Sequence, residues 1–329
     1  MRNDMADFFP SIADKVPHID KMRGKNVLVV GASGLIGNHV LAALKETGCY
    51  IFILRNTHMP FVITNSIVYH GWKALSKSPI NFDYIFYLAG YGQPQKFMAS
   101  RFTTTLLNTK YLADVLDHMA FRGHILFAST AEVYSGLTVE ATEDMIGTTN
   151  PSHPRASYIE GKRCGESLIH SLNELTACNG KIARISLSYG PGVQYNDTRV
   201  MSDFIRMGLE DGVIKPKGGL SAVRNYCYVS DTVTMLFNIM LNGKSTVYNV
   251  GGNFYMTLRD MLYDIAHDTD AGIEWAVKNG DESAPPFVGM SMDKYYDEFH
   301  NLDDNFPSTD WDTGLKRTIE WFVHLKENC

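Results

Sequence analysis

The chain has 329 residues, 45% hydrophobic and 20% charged, which is typical of a folded globular protein with one large or two smaller domains. The net charge of −6 argues against binding to nucleic acid or an anionic membrane surface. No apolar run is long enough for a membrane span, and the N-terminal residues lack a signal-peptide pattern. Five scattered cysteines without a CxxC pair and unclustered histidines predict a reducing, cytoplasmic location and no metal site.

The predicted elements begin after an N-terminal extension, residues 1–24, in which a short helix would lay Phe8 and Phe9 on a neighbouring surface. From there, apolar runs alternate with segments of helical spacing, and this alternation predicts a parallel sheet built from βαβ units. The predicted strands are 26–30, 50–54, 83–88, 124–128, 181–187, 225–229 and 246–250. The predicted helices are 38–47, 104–118, 151–175 and 314–326.

The regular alternation weakens after residue 188. We therefore predict an α/β fold in which residues 25–188 form a Rossmann-type, doubly wound parallel sheet. Residues 189–329 would form a smaller C-terminal α/β substrate domain, with about 226–252 returning to the first domain.

A glycine-rich turn, Gly31-Ala-Ser-Gly34-Leu-Ile-Gly37, separates the first predicted strand from the first helix. Glycines at these points allow a tight turn and a close approach of the backbone to a pyrophosphate, and the helix N-terminus supplies N–H groups. Glycine turns also serve simple strand-to-helix packing, but the position in the first βαβ unit favours a dinucleotide site. The predicted contacts from this turn are Gly31, Ser33, Gly34, Leu35, Ile36 and Gly37.

The end of the second predicted strand does not carry the acidic residue expected for a ribose 2′-hydroxyl, because Arg55 and Asn56 stand there. We predict that both residues contact the cofactor. An arginine can accommodate a 2′-phosphate, which leaves NADP open beside NAD. The alternative is that Arg55 is solvated and that NAD binds without the carboxylate.

Tyr158 and Lys162 are four residues apart and would project from one face of a helix. A free phenol titrates near ~10, and a neighbouring ammonium together with a positive nicotinamide ring would favour the phenolate needed for general-base work. Thr130, directly after a predicted strand, could hydrogen-bond a substrate hydroxyl whose proton Tyr158 removes. A surface Tyr–Lys pair and a strand ending in a hydroxyl-rich turn are the structural alternatives.

These elements together resemble the extended short-chain dehydrogenase/reductase family, in its NAD-dependent nucleotide-sugar epimerase/dehydratase branch. Within that branch, the chain is most similar to UDP-glucuronate decarboxylases, also called UDP-xylose synthases. The motifs that carry the resemblance are GASGLIG, YLAG at 87–90, STAEVY at 129–134, TED at 142–144, NP at 150–151, YIEGKRCGESL at 158–168, RISLSYGPG at 184–192, DTRVMSDFI at 197–205, RNYCYVSD at 224–231, YNVGG at 248–252 and GLKRTIEW at 314–321.

The resemblance implies a redox-neutral reaction of a nucleotide sugar through a 4-keto intermediate. Tyr158 would take the proton of the sugar 4-hydroxyl, Thr130 would orient that hydroxyl, and Lys162 would tune Tyr158 and hold the nicotinamide ribose. Glu132 would lie beside the reacting carbons, and Arg224 would contact the phosphates or a substrate carboxylate. The resemblance also implies cofactor contacts from Leu88, Ala89, Gly90 and Tyr158, a substrate contact from Tyr189, and a homodimer formed by the helices around 104–118 and 158–175.

Three features depart from the decarboxylase pattern. Ala131 replaces the usual hydroxyl residue and is closer to 4-epimerases, Leu187 replaces an expected asparagine, and segment 91–97 (YGQPQKF) is atypical. Decarboxylation of a UDP-glucuronate-type substrate is the leading hypothesis. A 4-epimerase, a dehydratase that uses Glu132, and a non-catalytic cofactor-binding protein are the alternatives.

Overall fold

A seven-stranded parallel sheet forms the centre of the molecule, whose computed structural model describes residues 5–55, 58–62, 64–217, 220–275, 286–300 and 309–328. Its strands are β1 (Asn26–Val30), β2 (Tyr50–Arg55), β3 (Ser66–His70), β4 (Phe82–Tyr87), β5 (Met119–Thr130) and β6 (Asn179–Ile185), together with β10 (Val247–Val250). The strand order is β10-β6-β5-β4-β1-β2-β3. This order reverses beside β1, so the carboxyl ends of β1 and β4 enclose the crevice in which such sheets bind ligands.

Helices lie on both faces of this sheet, which confirms the predicted doubly wound α/β fold. The helices of the described residues, including those of the C-terminal region, are α1 (Leu35–Leu44), α2 (Trp72–Leu75), α3 (Pro94–Ala99), α4 (Arg101–Asn108), α5 (Lys110–Leu116), α6 (Ala156–Leu175), α7 (Val200–Asp211), α8 (Val229–Asn242), α9 (Leu258–Asp268), α10 (Asp293–Phe299) and α11 (Trp311–Asn328). Successive side chains of β1 enter different clusters, Val27 and Val29 with α1 and α8, Leu28 and Val30 with α5 and α6. Strands buried on both faces explain the uninterrupted apolar runs in the sequence.

Chain segments that follow β6 in the sequence form a smaller mixed sheet. It consists of β7 (Leu187–Tyr189), β9 (Val223–Tyr228), β11 (Tyr255–Thr257) and β13 (Phe287–Val288), with β9 paired to the other three. Two short strands, β8 (Val213–Ile214) and β12 (Gly272–Ile273), form a separate pair. The return of the chain to the large sheet occurs at β10, which pairs with β6. The domain boundaries given above stay a prediction.

Several predicted boundaries were wrong for local reasons. The single helix predicted over 104–118 is two helices, because the backbone leaves the helical region at Thr109. Threonine and asparagine side chains there bond to carbonyl groups one turn earlier, as Thr109 does to Thr105 and Asn108 to Thr104, and such bonds compete with regular helix. The helix predicted from residue 151 begins only at Ala156, since Pro154 disfavours helical backbone at His153.

The first described residues form short 3-10 helices, and their apolar side chains pack into two different hydrophobic clusters. The rings of Phe8 and Phe9 both meet the Trp321 indole edge-on, at 5.2 and 5.5 Å between centroids. Farther along, Ile12 and Val16 join the cluster beneath α1 and α8. The predicted packing of Phe8 and Phe9 on a neighbouring surface is therefore what the structure contains.

Membrane-spanning helices and metal-binding clusters are both absent from the described residues. No helix among them is both long and apolar enough to cross a bilayer. In the same ranges, no group of three or more histidine, cysteine or acidic residues is arranged to hold a metal ion. The cytoplasmic location stays a prediction.

Candidate active site

The glycine turn lies at the carboxyl end of β1, against the end of β4. Gly31 has a φ of +91°, and a Cβ placed there would lie 2.8 Å from the carbonyl carbon and oxygen of Leu88. Only glycine allows this approach of the two chain segments. Helix α1 then begins at Leu35, after Gly34, whose extended backbone offers no side-chain cap to the first N–H groups. These unpaired donors fit a pyrophosphate.

The other predicted cofactor residues lie around this turn. Leu88 N–H donates to Val30 O at 2.8 Å, which brings the YLAG segment beside the glycine turn. The residues left partly or fully exposed along the crevice are Gly31, Ser33, Gly34, Leu35, Ile36, Leu88, Ala89 and Gly90. Arg55 ends β2 and is partly exposed. Asn56 lies outside the described residues.

A substitution at Gly37 tests how closely the glycine turn is packed. A Cβ on Gly37 would lie 2.3 Å from Gly31 O and 2.7 Å from the Ala32 Cα, so Gly37→Ala must displace the turn. We expect a loss of about 1–3 kcal/mol in the free energy of unfolding, measured by urea titration without cofactor. Gly34→Ala is the matched control, because its Cβ would meet only Gly31 O, at 3.4 Å. Equal stability of the two variants would contradict this account of the turn.

Thr130 and Tyr158 come together at the carboxyl end of β5. Thr130 is the last residue of the strand, and its hydroxyl accepts a hydrogen bond from Glu132 N–H at 3.2 Å. Tyr158 lies in the first turn of α6, and the Thr130 side chain is close enough to its phenol to lower the pKa of Tyr158. The two hydroxyl groups that the sequence paired are thus neighbours.

The charges around Tyr158 differ from the expected ones. Burial, and then the Glu132 carboxylate, raise the pKa of Tyr158 to about 12, while Thr130, Arg155 and Arg199 act to lower it. The sequence argument gave the lowering role to the Lys162 ammonium and the nicotinamide ring. In the structure, the Lys162 ammonium instead donates to Ala128 O at 2.6 Å, and the lowering cations of the chain are the two arginines.

Lys162 lies at the base of the crevice, beside Gly90. A Cβ on Gly90 would lie 3.4 Å from Lys162 Nζ and 4.0 Å from Asn108 Oδ1. The Asn108 oxygen is buried and has no hydrogen-bond partner among the described residues. An orphaned acceptor and a buried ammonium facing the YLAG segment fit the hydroxyl groups of a cofactor ribose.

The buried position of Lys162 also predicts that the free energy of unfolding depends on pH. Burial lowers the pKa of Lys162 to about 7 from an ordinary 10.5, although Glu166 opposes the shift. Between these values the unfolded chain holds a proton that the folded chain lacks, so raising the pH stabilises the fold by up to ~1.4 kcal/mol per unit. Urea unfolding of the cofactor-free protein at about pH 7.5 and about pH 9 should show a gain that Lys162→Met lowers by about 2 kcal/mol. An identical gain in both proteins would contradict the buried position of this ammonium.

Glu132 is held by an arginine that the sequence analysis did not single out. The buried Arg155 guanidinium forms a two-point ion pair with Glu132, with Nε 3.0 Å from Oε2 and a second, shorter contact to Oε1. Arg224 lies near this pair, since Arg155 and Glu132 both affect its pKa, which burial lowers from the usual arginine value. The structure therefore places Glu132 and Arg155 near Tyr158, with Arg224 near the Glu132–Arg155 pair, and the roles of Glu132 and Arg224 stay predictions.

A third arginine reaches the site from the C-terminal part of the chain. Arg199 Nε donates to the buried Asp197 carboxylate at 3.0 Å, and Gln93 Nε2 donates to the same carboxylate at 2.8 Å. Burial acts to raise the pKa of Asp197, but the Arg199 ion pair and these hydrogen bonds hold it below the usual range. The Gln93–Asp197 bond connects the segment after β4 with the segment before α7 across the crevice.

A buried polar network supports the site from behind. The Glu166 carboxylate accepts from Ser129 Oγ at 2.5 Å and from Arg184 Nη2 at 2.8 Å. Arg184 Nη1 donates in turn to Tyr134 Oη and to Glu143 O, each at 2.9 Å. Burial acts to lower the pKa of Arg184, but Glu166 overrides it and keeps the pKa above the usual value. This network fixes the end of β5 against α6.

Tyr189, predicted to contact the substrate, lies in the core of the C-terminal region. Its ring packs against Tyr226, Tyr228 and Trp311, with centroids 5.2–6.1 Å apart, and it is 3% exposed. These are the contacts of a packing residue, so we correct that assignment. Leu112 and Val115, in the segment 104–118 predicted to contribute to a homodimer, are buried against the large sheet within the chain. The homodimer stays a prediction.

The residues that the sequence analysis missed are Phe97, Asn108, Arg155 and Arg199. Arg155 stands three residues before Tyr158, on the same helical face, and that spacing was an available signal. Phe97 lies in the atypical segment 91–97, whose departure from the decarboxylase pattern was noticed but not interpreted. Nothing in the local sequence distinguishes Asn108 or Arg199 from a surface residue.

The fold is similar to that of solved epimerase structures. An epimerase of Methanothermobacter thermautotrophicus superimposes with a TM-score of 0.82 at 22% identity, covering 96% of both chains. The UDP-glucose 4-epimerase of Thermotoga maritima, solved with UDP-glucose, gives a TM-score of 0.79 at 20% identity, covering 92% of this chain and 99% of that one.

The sequence itself defines the family. Residues 27–251 match the family model described as the NAD dependent epimerase/dehydratase family, so the chain belongs to that NAD-dependent family. Among curated proteins, UDP-glucuronic acid decarboxylase 1 of Danio rerio is 28% identical over 263 residues, 76% of this chain. The match spans only 63% of that relative's length. UDP-glucuronic acid decarboxylase 6 of Arabidopsis thaliana is 28% identical over 244 residues, covering 70% of this chain and 71% of the relative.

Proposed function

We propose that the protein is an NAD-dependent enzyme that modifies a nucleotide sugar through a 4-keto intermediate, and that its substrate is of the UDP-glucuronate type, which it decarboxylates. The observation that carries this proposal is the position of Tyr158. Its hydroxyl lies beside the Thr130 side chain at the carboxyl end of β5, within electrostatic reach of Arg155 and Arg199. Arg224 adds a third guanidinium near Glu132.

The arginines support an anionic substrate. Guanidinium groups bind carboxylates and phosphates through paired hydrogen bonds, and a nucleotide sugar acid carries both kinds of anion. Arg155 is committed to Glu132 through two contacts, whereas the described side-chain hydrogen bond of Arg224 goes to Val223 O. Arg224 is therefore the residue that we propose for the substrate carboxylate or phosphates.

The chain's own groups divide the remaining work. NAD, when bound, would accept a hydride from the sugar and later return it. The glycine turn binds the pyrophosphate, and Lys162 and Asn108 hold the ribose. Thr130 orients the sugar hydroxyl, and Tyr158 takes its proton and later gives it back. Glu132, held by Arg155, is part of the polar wall beside the reacting carbons. Because both of its oxygens are engaged, a dehydratase that uses Glu132 as a free base is disfavoured.

A neutral-sugar 4-epimerase is the second candidate, and Ala131 favours it. This residue is buried directly after Thr130, and its methyl group offers no hydroxyl to a substrate acid. The same hydroxyl oxidation by Tyr158 serves both reactions. The two candidates differ in whether the substrate needs a carboxylate.

Mass spectrometry of UDP-glucuronate incubated with the protein and NAD tests the proposal. We expect loss of carbon dioxide, and no loss with Tyr158→Phe. Intact UDP-glucuronate would exclude this substrate. Epimerisation of a neutral UDP-sugar in the same assay would then support the second candidate. An unchanged panel of sugar nucleotides would favour a non-catalytic cofactor-binding protein.

A further inference from the structure

The atypical segment 91–97 delivers an aromatic ring to the candidate active site. Phe97, in α3, is 1% exposed, and its ring stacks on the Tyr158 ring with centroids 4.6 Å apart and planes within 5° of parallel. The guanidinium carbon of Arg155 lies 5.0 Å from the centroid of the same Phe97 ring. One side chain therefore touches both the proposed acid-base group and the residue that clamps Glu132.

This ring does not belong to the general core. The hydrophobic clusters of the described residues include the buried aromatic side chains of β4 and β5, such as Phe86 and Phe127, but not Phe97. In the described part of the chain, its ring-stacking contact is with Tyr158 and its cation–π contact is with Arg155. A ring buried against two polar site residues, and apart from the apolar clusters, is placed to serve the site.

We propose that Phe97 is a positioning residue, whose ring holds the Tyr158 phenol toward Thr130 and the Arg155 guanidinium toward Glu132. The proposal rests on the acid-base role proposed for Tyr158. A parallel ring removes rotational freedom from the phenol, and a guanidinium gains a cation–π contact on the same surface. Because Tyr158 and Arg155 lie in the same helical turn, the Phe97 ring holds both side chains in position.

Removal of the Phe97 ring should change the pKa of Tyr158, which a simple loss of packing would not do. Burial is the largest influence that raises the Tyr158 pKa, and the other groups around it are Glu132, Thr130, Arg155 and Arg199. A shorter side chain at position 97 admits water beside the phenol. The phenol should then titrate at lower pH, while its misplacement slows the reaction.

The test compares Phe97→Leu with Phe97→Tyr, which keeps the ring, and with Phe121→Leu as a matched control. Phe121 is 82% exposed at the start of β5, the opposite end of that strand from Thr130. We expect Phe97→Leu to lower kcat by about 10- to 100-fold, with a smaller change in KM, and to shift the pH–rate profile toward lower pH. Phe97→Tyr and Phe121→Leu should keep the wild-type profile.

A second readout does not depend on the substrate. In substrate-free protein labelled with ¹³Cζ-tyrosine, the Tyr158 signal is identified by its loss in Tyr158→Phe, and it should begin to titrate at lower pH in Phe97→Leu than in wild type. This shift would support the positioning role even where UDP-glucuronate is not turned over. An unchanged titration, or a loss of kcat that only follows the melting temperature with no change in the profile, would overturn it.

Discussion

Tyr158→Phe is expected to lower kcat by about 10²- to 10⁴-fold while leaving NAD binding intact, because it removes the proton acceptor and no part of the glycine turn. Phenylalanine keeps the ring that stacks on Phe97, so the variant should fold normally. The measurements are turnover of the substrate identified by mass spectrometry and NAD affinity by titration calorimetry.

The pH dependence of the reaction rate gives a second test of the role of Tyr158. The pKa of Tyr158 is raised to about 12, by burial first and by Glu132 second, so the phenolate fraction grows throughout the neutral and alkaline range. The wild-type rate of the hydroxyl oxidation should therefore rise with pH, and the residual rate of Tyr158→Phe should not. Tyr263→Phe is the matched control, since Tyr263 is an exposed tyrosine on α9. Equal rates for Tyr158→Phe and the control would remove Tyr158 from the mechanism.

Arg184→Met is expected to produce the largest loss of stability, about 3–5 kcal/mol in the free energy of unfolding. The substitution leaves the Glu166 carboxylate buried beside β5 without its guanidinium partner, and it also breaks the bonds to Tyr134 and Glu143 O. Denaturant unfolding followed by circular dichroism measures this loss.

Two further variants separate charge burial from simple truncation. The double variant Arg184→Met with Glu166→Met should recover a large part of the loss, since no unpaired charge remains buried. Lys215→Met breaks an exposed pair with Glu274 and should cost far less stability than Arg184→Met, because solvent screens the pair. A cost for Arg184→Met as small as that of Lys215→Met would contradict the view that this network holds the site in place.

The sequence analysis succeeded where neighbouring residues carry the information. The glycine turn, the apolar strands and the four-residue spacing of Tyr158 and Lys162 are local patterns with direct structural meaning. The local analysis failed at Thr109, where side-chain bonds to the backbone break a helix that the apolar spacing makes continuous. It also missed β3, because half-exposed side chains give that strand no apolar run.

Roles that depend on burial were harder to assign. Tyr189 ends β7 in a motif typical of the family, yet the aromatic side chains of β9 and α11 enclose its ring. Glu132 was expected beside the reacting carbons, and its capture by Arg155 follows from the fold of the segment between β5 and α6. A sequence gives the chemistry of a side chain but not the partners that occupy its hydrogen bonds.

The sequence by itself therefore determined the family, the doubly wound sheet and the proximity of Thr130 to Tyr158, since these depend on periodicity and on motifs within one βαβ unit. Only the tertiary structure decided which groups surround the phenol. Phe97, Arg155 and Arg199 come from α3, the turn before α6 and the segment before α7, and they meet because parallel strands place their carboxyl ends at one edge of the sheet. The physical reason is that burial and electrostatic interaction depend on distance in space, which separation along the chain does not specify.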